Sequence, residues 1–201
     1  MYHIVVIGNA DINSDHSKLV DSADLVIRFN EARNYASGLT GHKCDVLCLA
    51  NTSHPGRTFS KYKTIKKLHF IKDVIDIWFP HPFDCTAKQF WLKPFNKKKF
   101  KKTDYSKFIL KENELKQKNI LFLNEDLFFE ACMDLNIIQP SNLIPSSGYM
   151  ALKYILKQYG TASVKITVLG FTFTGADGHP WHEEKKCVQA FSQAGLITLL
   201  L

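Results

Sequence analysis

The sequence lacks several motifs by which nucleotide-using enzymes are often recognised. It has no GxGxxG after its first predicted strand, which argues against a common NAD site, and no GxxxxGK[ST] phosphate loop. It also lacks an Asp-x-Asp pair to hold a divalent cation under a nucleotide diphosphate, and a GxSxG that would indicate a serine hydrolase. No apolar run approaches the roughly 20 residues of a membrane-spanning helix. The chemistry of this chain must therefore lie in other residues.

Cysteine is scarce and odd in number, which argues against a disulfide framework. The five cysteines form no CxxC pair and lie in predicted strands or helices: Cys44, Cys48, Cys85, Cys132 and Cys187. Free, buried thiols in a reducing compartment explain this pattern best. The first ten residues, MYHIVVIGNA, lack a positive segment followed by a cleavable apolar core, so we expect no signal peptide. Both features predict a cytoplasmic location.

Positive charge is in excess and unevenly distributed. The chain has 26 Lys and Arg against 19 Asp and Glu, and the run KPFNKKKFKK at 93–102 alone holds six lysines. A basic run interleaved with aromatic residues can bind nucleic acid or an anionic membrane, although such runs are more often solvated loops. An anionic membrane surface is one partner that fits Lys93–Lys102, and we expect no nucleic acid.

Apolar runs alternate with amphipathic segments along the chain. Strands are predicted at 4–8, 24–29, 45–51, 119–123, 164–171 and 196–201, and helices at 124–136, 144–160 and 183–195. Segment 69–79 fits a strand followed by a helical turn, and lysine-rich 83–118 fits helical pieces with a flexible stretch that could form a lid. This alternation predicts the α/β class: a three-layer α/β/α sandwich around a Rossmann-like, mostly parallel sheet. With no linker, residues 1–201 are predicted to form a single domain.

Polar residues fall at the ends of three predicted strands. Gly8 and Asn9 follow the first strand, Arg28 and Asn30 stand at the end of the second, and Asn51 follows the third. In open α/β sheets, ligands bind beyond the carboxyl ends of the strands. These residues are therefore candidates for one shared binding site.

Ser146, Ser147 and Gly148 open the predicted helix 144–160. Unbonded backbone N–H groups and the positive end of the helix dipole make such a position a natural phosphate site, to which serine hydroxyls add donors. The alternative is that the two serines simply cap the helix. The local pattern leaves both interpretations open.

The stretch GHPWHEEKK at 178–186 allows three interpretations. His179 and His182 could be metal ligands, but Gly178 and Pro180 place them in a loop or helix start, and the HExxH pattern is absent. The stretch could also be the solvated first turn of a helix. The third interpretation is a single catalytic histidine with a carboxylate nearby, since histidine ordinarily titrates near neutral pH.

Together these blocks resemble the animal-type sialyltransferases. The first block of that family is a buried strand, Gly-Asn, an Arg-x-Asn-x-Ala segment and a Gly-x-Lys/Arg, and here it reads VVIGNADINSDHSKLVDSADLVIRFNEARNYASGLTGHKCDVLCLAN. The second reads PSSGYMALKYILKQYGTASVKITVLGF. The third is a histidine followed five residues later by glutamate, the spacing of His179 and Glu184. The blocks cover about half the chain, and sialyltransferases of bacterial pathogens begin similarly.

The resemblance implies a GT-A-like variant of the fold and a donor site for a CMP-sugar. Asn9 and Asn30 would contact the phosphate and ribose. The nucleotide phosphate would lie at the helix start formed by Ser146, Ser147 and Gly148, and the nucleotide pocket would be bordered by Gly170 and Phe171. The implied partners are a nucleotide-sugar donor and a glycan or other hydroxyl acceptor.

The resemblance also implies a mechanism. His179 would be the general base that takes the proton from the acceptor hydroxyl, paired with Glu184, and His182 is a secondary candidate. The acceptor would attack the anomeric carbon in line, with inversion. CMP leaves as a monophosphate, so a helix dipole and hydroxyl donors can stabilise it, and we expect no metal or other cofactor.

Three departures from the animal family bear on function. The disulfide that joins its two large blocks has no counterpart, because the matching positions near His3–Ile4 and Gln158–Tyr159 carry no cysteine. The membrane anchor and stem are missing as well, which favours a cytoplasmic bacterial protein. The chain is also short between the two blocks, where acceptor contacts are expected. A non-catalytic nucleotide or sugar-phosphate binding accessory protein is therefore the alternative function.

Overall fold

The computed structural model describes residues 1–82, 104–138, 141, 143–160 and 162–200, and it confirms the predicted α/β class. One seven-stranded sheet runs through these residues, and each recorded strand pair is parallel. The strands are β1 (Tyr2–Ile7), β2 (Leu25–Phe29), β3 (Val46–Cys48), β4 (Asp76–Phe79), β5 (Asn119–Phe122), β6 (Val164–Leu169) and β7 (Thr198–Leu200).

The strand order explains where a ligand can bind. Across the sheet it runs β5-β4-β3-β2-β1-β6-β7, so the chain builds outward from β1 to β5 and then returns to the other side of β1. The loops after β1 and β6 therefore leave the sheet in opposite directions and open a crevice between them. This topological switch point is the natural site for a ligand.

Helices cover both faces of the sheet. They are α1 (Ser17–Asp21), α2 (Ser53–Tyr62), α3 (Ser106–Glu112), α4 (Glu125–Asp134), α5 (Ser147–Tyr159) and α6 (Trp181–Gln193). Alternate residues of β1 point to opposite faces: Ile4 and Val6 pack with α4, α5 and α6, whereas Val5 and Ile7 pack with α1. Helices α2 and α3 join the second face through Phe59 and Ile109. The three predicted layers are thus present.

The prediction for segment 69–79 was wrong in its order. Short 3₁₀ helices at Ile65–Lys67 and His69–Lys72 come first, and strand β4 follows. The buried residues Phe70, Ile71 and Val74 have helical spacing, whereas Ile77–Phe79 is a continuous buried run of the kind that fits between two strands. The strand therefore forms at the end of the segment.

The lysine-rich segment is covered in part. Residues 83–103, which include the run 93–102 and the proposed lid, lie outside the described residues, while α3 is one of the helical pieces expected in 83–118.

Cys85 also lies outside the described residues. The other four cysteines are free thiols, and burial raises the pKa of Cys44 to about 12. Within the described residues, no helix is long and apolar enough to cross a membrane.

Candidate functional site

A cavity of about 400 Å³ opens at the switch point, between the loops that follow β1 and β6. It is walled by the ends of β1 and β2, the N-terminus of α5, and the loop between β6 and α6. Most of the residues predicted for a site meet here: Gly8, Asn9, Asn30, Ser146, Ser147, Gly148, Gly170, Phe171, His179 and Glu184. The tertiary structure thus brings together residues up to 176 positions apart in the chain, from Gly8 to Glu184.

Two glycines allow the crevice loops to approach each other. The Gly8 N–H donates to Leu169 O at 2.8 Å, and a Cβ added to Gly8 would lie 2.2 Å from Gly170 O. Gly170 itself adopts φ +64°, a conformation that side chains disfavour. The Asn34 amide then holds the first loop by donating to Gly8 O at 2.9 Å and to Ala10 O. Sequence reasoning missed Asn34, whose role depends on this loop shape.

The two predicted asparagines tie the strand ends together. Asn9 donates to Phe29 O and accepts from the Arg33 N–H, each at 3.0 Å. Asn30, at φ 54°, accepts from the Ala50 N–H at 3.0 Å. The Asn30 amide nitrogen has no hydrogen-bond partner among the described residues and so is available to a ligand. Both side chains therefore shape the cavity floor.

The N-terminus of α5 forms one wall of the cavity. The Ser146 hydroxyl caps the helix by accepting from the Tyr149 N–H at 3.1 Å. The backbone N–H groups of Ser147 and Gly148 belong to the first turn, where no intrahelical partner exists. A Cβ at Gly148 would lie 3.1 Å from the Phe171 ring, so glycine lets the helix end pack against it. Capping uses the Ser146 hydroxyl and leaves the backbone N–H groups of Ser147 and Gly148, so a phosphate site at this helix start stays a prediction.

Glu184 lies behind this helix start and is almost fully buried, at 2% exposure. Its two carboxylate oxygens accept from the Ser146 N–H at 2.7 Å and from the Ser146 hydroxyl at 2.6 Å. Burial raises the pKa of Glu184, although the hydrogen bonds from Ser146 oppose that shift. The partner of Glu184 is thus Ser146, and not the His179 that the sequence spacing indicated. Its position on the inner side of α6, facing α5, is the reason.

His179 stands at the cavity wall just before α6. Its Nδ1 lies 2.9 Å from Ile144 O. A carbonyl oxygen can only accept, so Nδ1 carries the proton of this hydrogen bond. The Ile144 N–H donates in turn to Gly178 O at 2.9 Å, and the Trp181 ring meets the imidazole edge-on at 5.0 Å. These contacts orient the imidazole at the cavity wall.

Arg28 is one of three predicted residues that the structure does not bring to the cavity. Its side chain is 1% exposed and lies on the face of β2 opposite Phe29, which does line the cavity. The guanidinium donates to the carbonyls of Lys43, Thr40 and Gly41 and to the Thr40 hydroxyl at 2.6–3.0 Å. Arg28 therefore supports the loop before β3.

Asn51 and His182 also lie outside the cavity. The Asn51 amide donates to His81 O at 3.0 Å and to the Asp104 carboxylate at 3.1 Å, which turns it away from its cavity-lining neighbours Ala50 and Thr52. The His182 side chain is 78% exposed on the outer side of α6, 4.0 Å from Glu183. The structure thus gives His182 no position from which to act in the cavity.

The cavity also contains residues that sequence reasoning missed. Arg33 supplies a cation, and its side chain makes no hydrogen bond or ion pair with the described residues. His81 Nε2 lies 3.0 Å from Pro145 O and so braces the segment before α5. Trp181 donates to Ala176 O at 3.2 Å and holds the loop after β6. None of the three stands in a pattern that marks it in the sequence.

Metal binding was one interpretation of the two histidines. Among the residues that the structure describes, no group of three or more His, Cys, Asp or Glu side chains is placed to hold a metal ion. His179 and His182 diverge, one toward the cavity and one toward solvent. Independence from metal remains a prediction of the sequence.

The fold and the cavity define a class: an α/β protein of Rossmann-like architecture with a helix N-terminus at the cavity of its switch point. Residues 2–193 match the family model described as glycosyltransferase family 29 (sialyltransferase). The chain therefore belongs to that family, and the resemblance inferred from the sequence blocks is confirmed.

Solved sialyltransferase structures share the fold. A mammalian sialyltransferase aligns with a TM-score of 0.63 at 14% identity, covering 99% of this chain and 68% of its own. A mammalian sialyltransferase in complex with Gal-beta-1-3GalNAc-ortho-nitrophenol aligns at 0.59 and 15%, covering 99% and 69%. The sialyltransferase CstII from Campylobacter jejuni, in complex with the substrate analogue CMP-3FNeuAc, aligns at 0.54 and 18%, covering 99% and 79%.

One relative is described as an accessory protein and not as a sialyltransferase. The urease operon 23 kDa accessory protein of Rhizobium meliloti is 24% identical over 204 residues, which cover 98% of this chain and 92% of that protein. The similarity spans almost the full length of both chains, so it includes the cavity.

Proposed function

We propose that this protein is a metal-independent, inverting glycosyltransferase that uses a CMP-activated sugar, sialic acid or a related acid, and transfers it to an acceptor hydroxyl. One observation carries the proposal: the N-terminus of α5 and the imidazole of His179 line the same cavity. Membership of family 29 supports the transferase class, and CMP-3FNeuAc in the CstII complex supports the donor.

The donor phosphate binds at the start of α5. The backbone N–H groups of Ser147 and Gly148, the Ser147 hydroxyl and the helix dipole provide donors and positive potential for a phosphate. Asn30 offers its amide nitrogen from the cavity floor, and Asn9 holds the adjoining loop. Gly170 and Phe171 border the nucleotide. Arg33 lines the same cavity and adds a positive charge.

Transfer then proceeds in one displacement. Nε2 of His179 takes the proton of the acceptor hydroxyl as its oxygen forms a bond to the anomeric carbon. The bond from that carbon to the phosphate oxygen breaks with both of its electrons, and CMP leaves. Negative charge that develops on the leaving phosphate is stabilised by the α5 N–H groups, whose geometry is already set by the Ser146 cap.

A thermal-shift and turnover comparison tests the proposal. CMP should raise the melting temperature more than UMP, GDP or NAD, with or without EDTA. His179→Ala should lower sugar transfer by about 10²–10⁴-fold while CMP affinity is retained, because general-base catalysis contributes about that much. His182→Ala is the matched control and should retain transfer. If millimolar cytidine nucleotides do not change the melting temperature, the proposal is wrong.

The second candidate is a non-catalytic nucleotide or sugar-phosphate binding accessory protein. It is favoured by the full-length similarity to a protein described as a urease operon accessory protein. Here CMP would bind in the same cavity without reaction. Binding of CMP combined with neither hydrolysis nor transfer of a CMP-sugar, across a panel of acceptors, would favour this candidate over the first.

A further inference from the structure

The outer faces of α2 and α3 each carry a pair of like charges one helical turn apart. Arg57 and Lys61 are exposed on α2, and Lys107 and Lys111 are exposed on α3. Each pair has i,i+4 spacing, and the buried residues of both helices lie on the opposite side. All four cations therefore point away from the sheet.

The two helices lie side by side and run in the same direction. Near their N-termini the Tyr105 N–H donates to Asn51 O at 2.8 Å, and near their C-termini the Asn113 amide donates to Phe59 O at 3.0 Å. The two charge pairs are thus neighbours on one surface. We call this surface the basic face and define it by its outward residues: Arg57, Lys61, Tyr62, Lys107, Phe108 and Lys111.

Nearby carboxylates do not neutralise the basic face. Glu112 pairs with Lys63 at 3.7 Å, and Glu114 pairs with Lys66. Asp104 accepts from the Ser106 hydroxyl and the Asn51 amide. The four cations form no ion pair with any residue that the structure describes. Like charges at i,i+4 spacing destabilise a helix, so helix stability gives no reason for this arrangement.

Two large apolar side chains stand among these charges. Tyr62, which follows Lys61 in the chain, is 65% exposed, and Phe108, which follows Lys107, is 55% exposed. Cations interspersed with exposed aromatic rings on a helical surface match the charged and apolar layers of a lipid headgroup region. The first turn of α2 also lines the cavity through Ser53 and Pro55, so the helix that carries Arg57 and Lys61 reaches the cavity wall.

We propose that the basic face binds the surface of an anionic lipid bilayer and so holds the cavity mouth next to the membrane. Charge complementarity supplies the attraction, and Tyr62 and Phe108 insert at the headgroup level. The proposal does not depend on the transfer reaction, because it concerns a surface outside the cavity.

Vesicle co-sedimentation of the full chain tests it. Binding should require phosphatidylglycerol in phosphatidylcholine vesicles and weaken as salt is added. The variant Lys61→Glu/Lys111→Glu should lose at least about tenfold in partition coefficient, since each surface cation contributes about fivefold. The control Lys165→Glu/Lys185→Glu makes the same charge change on β6 and α6 and should bind almost normally. Both variants keep the lysine run 93–102, so their difference isolates the basic face.

A second variant separates lipid from nucleic acid. Tyr62→Ser/Phe108→Ser keeps every charge and should still weaken vesicle binding severalfold, with circular dichroism and the melting temperature used to verify folding. Equal vesicle binding by the basic-face and control charge variants would overturn the proposal. So would retention of a single-stranded RNA by the wild-type chain without retention of anionic vesicles.

Discussion

Two predicted site residues, Arg28 and Glu184, are buried charges, and the regions around them use that charge differently. Arg28 donates to four oxygens of the loop at 40–43, on the face of β2 turned away from the cavity. Glu184 accepts twice from one residue, Ser146, at the cavity wall. Arg28 stabilises a loop away from the cavity, whereas Glu184 positions the helix start that is proposed to bind phosphate.

The comparison shows that a charged residue within a functional block need not contact the ligand. Each buried charge is compensated by hydrogen bonds, as burial requires. Replacement of the two residues should have different consequences. Replacement of Arg28 should affect stability alone, and replacement of Glu184 should affect both stability and nucleotide binding. The following variants measure that difference.

The largest effect is expected for Arg28→Met. The substitution leaves three carbonyls and a hydroxyl without their donor, so the free energy of unfolding should fall by about 3–5 kcal/mol. CMP affinity of the folded fraction should stay within twofold of wild type. Urea denaturation and calorimetric CMP titration measure the two quantities, with Arg28→Lys as an intermediate control. If Arg28→Met has normal stability but has lost CMP affinity, Arg28 contributes directly to CMP binding and the prediction is wrong.

Glu184→Ala should lower both stability and binding. Loss of the two hydrogen bonds to Ser146 should cost about 2–3 kcal/mol of unfolding free energy and, by releasing the start of α5, about tenfold in CMP affinity. Ser146→Ala removes the helix cap together with the hydroxyl that donates to Glu184, and loss of the cap should lower the free energy of unfolding by about 1 kcal/mol. If Glu184→Ala abolishes turnover but leaves CMP affinity and stability unchanged, a direct catalytic role for this carboxylate replaces the positioning role.

Glu184 should also make stability depend on pH. Burial raises its pKa in the folded state above the ordinary 4.5, so the folded protein binds a proton that the unfolded chain has released. The stabilising contribution is present in full below about pH 4.5 and is lost as pH rises through the folded-state pKa. Relative to Glu184→Gln, wild type should therefore be most favoured at acid pH. Urea unfolding of both proteins from pH 4 to 8 measures this. If the unfolding free energy of wild type rises relative to that of Glu184→Gln as pH increases, the prediction is contradicted.

The smallest effect is expected for Arg33→Gln. This exposed cation lines the cavity without an ion-pair partner among the described residues, so its attraction to a bound anion is screened by solvent. CMP affinity should fall by about threefold, less at high salt, and stability should not change. Arg57→Gln, outside the cavity, is the matched control. An equal loss of affinity in both variants would show a general charge effect in place of a contact.

Much of the fold and of the cavity was predictable from local patterns. Strands such as Ile4–Ile7 are continuous apolar runs because both faces of the sheet are covered, and a parallel sheet places their polar ends at one edge. That rule located Asn9 and Asn30, and the helix signature at 144–160 located the helix start at Ser146, Ser147 and Gly148. It misplaced Arg28, since successive strand residues face opposite ways and the family block does not reveal which way each points.

The sequence by itself determined the class, most of the alternation of strands and helices, and the helix start at Ser146, because these follow from periodicity and from residues close together in the chain. Only the tertiary structure decided the partners. Glu184 meets Ser146 across 38 residues, Arg33 and His81 reach the cavity through loops whose shape depends on packing, and Asn34 holds the loop after β1. Burial also decides whether a charge supports the fold or faces a ligand, and burial is a property of the folded chain.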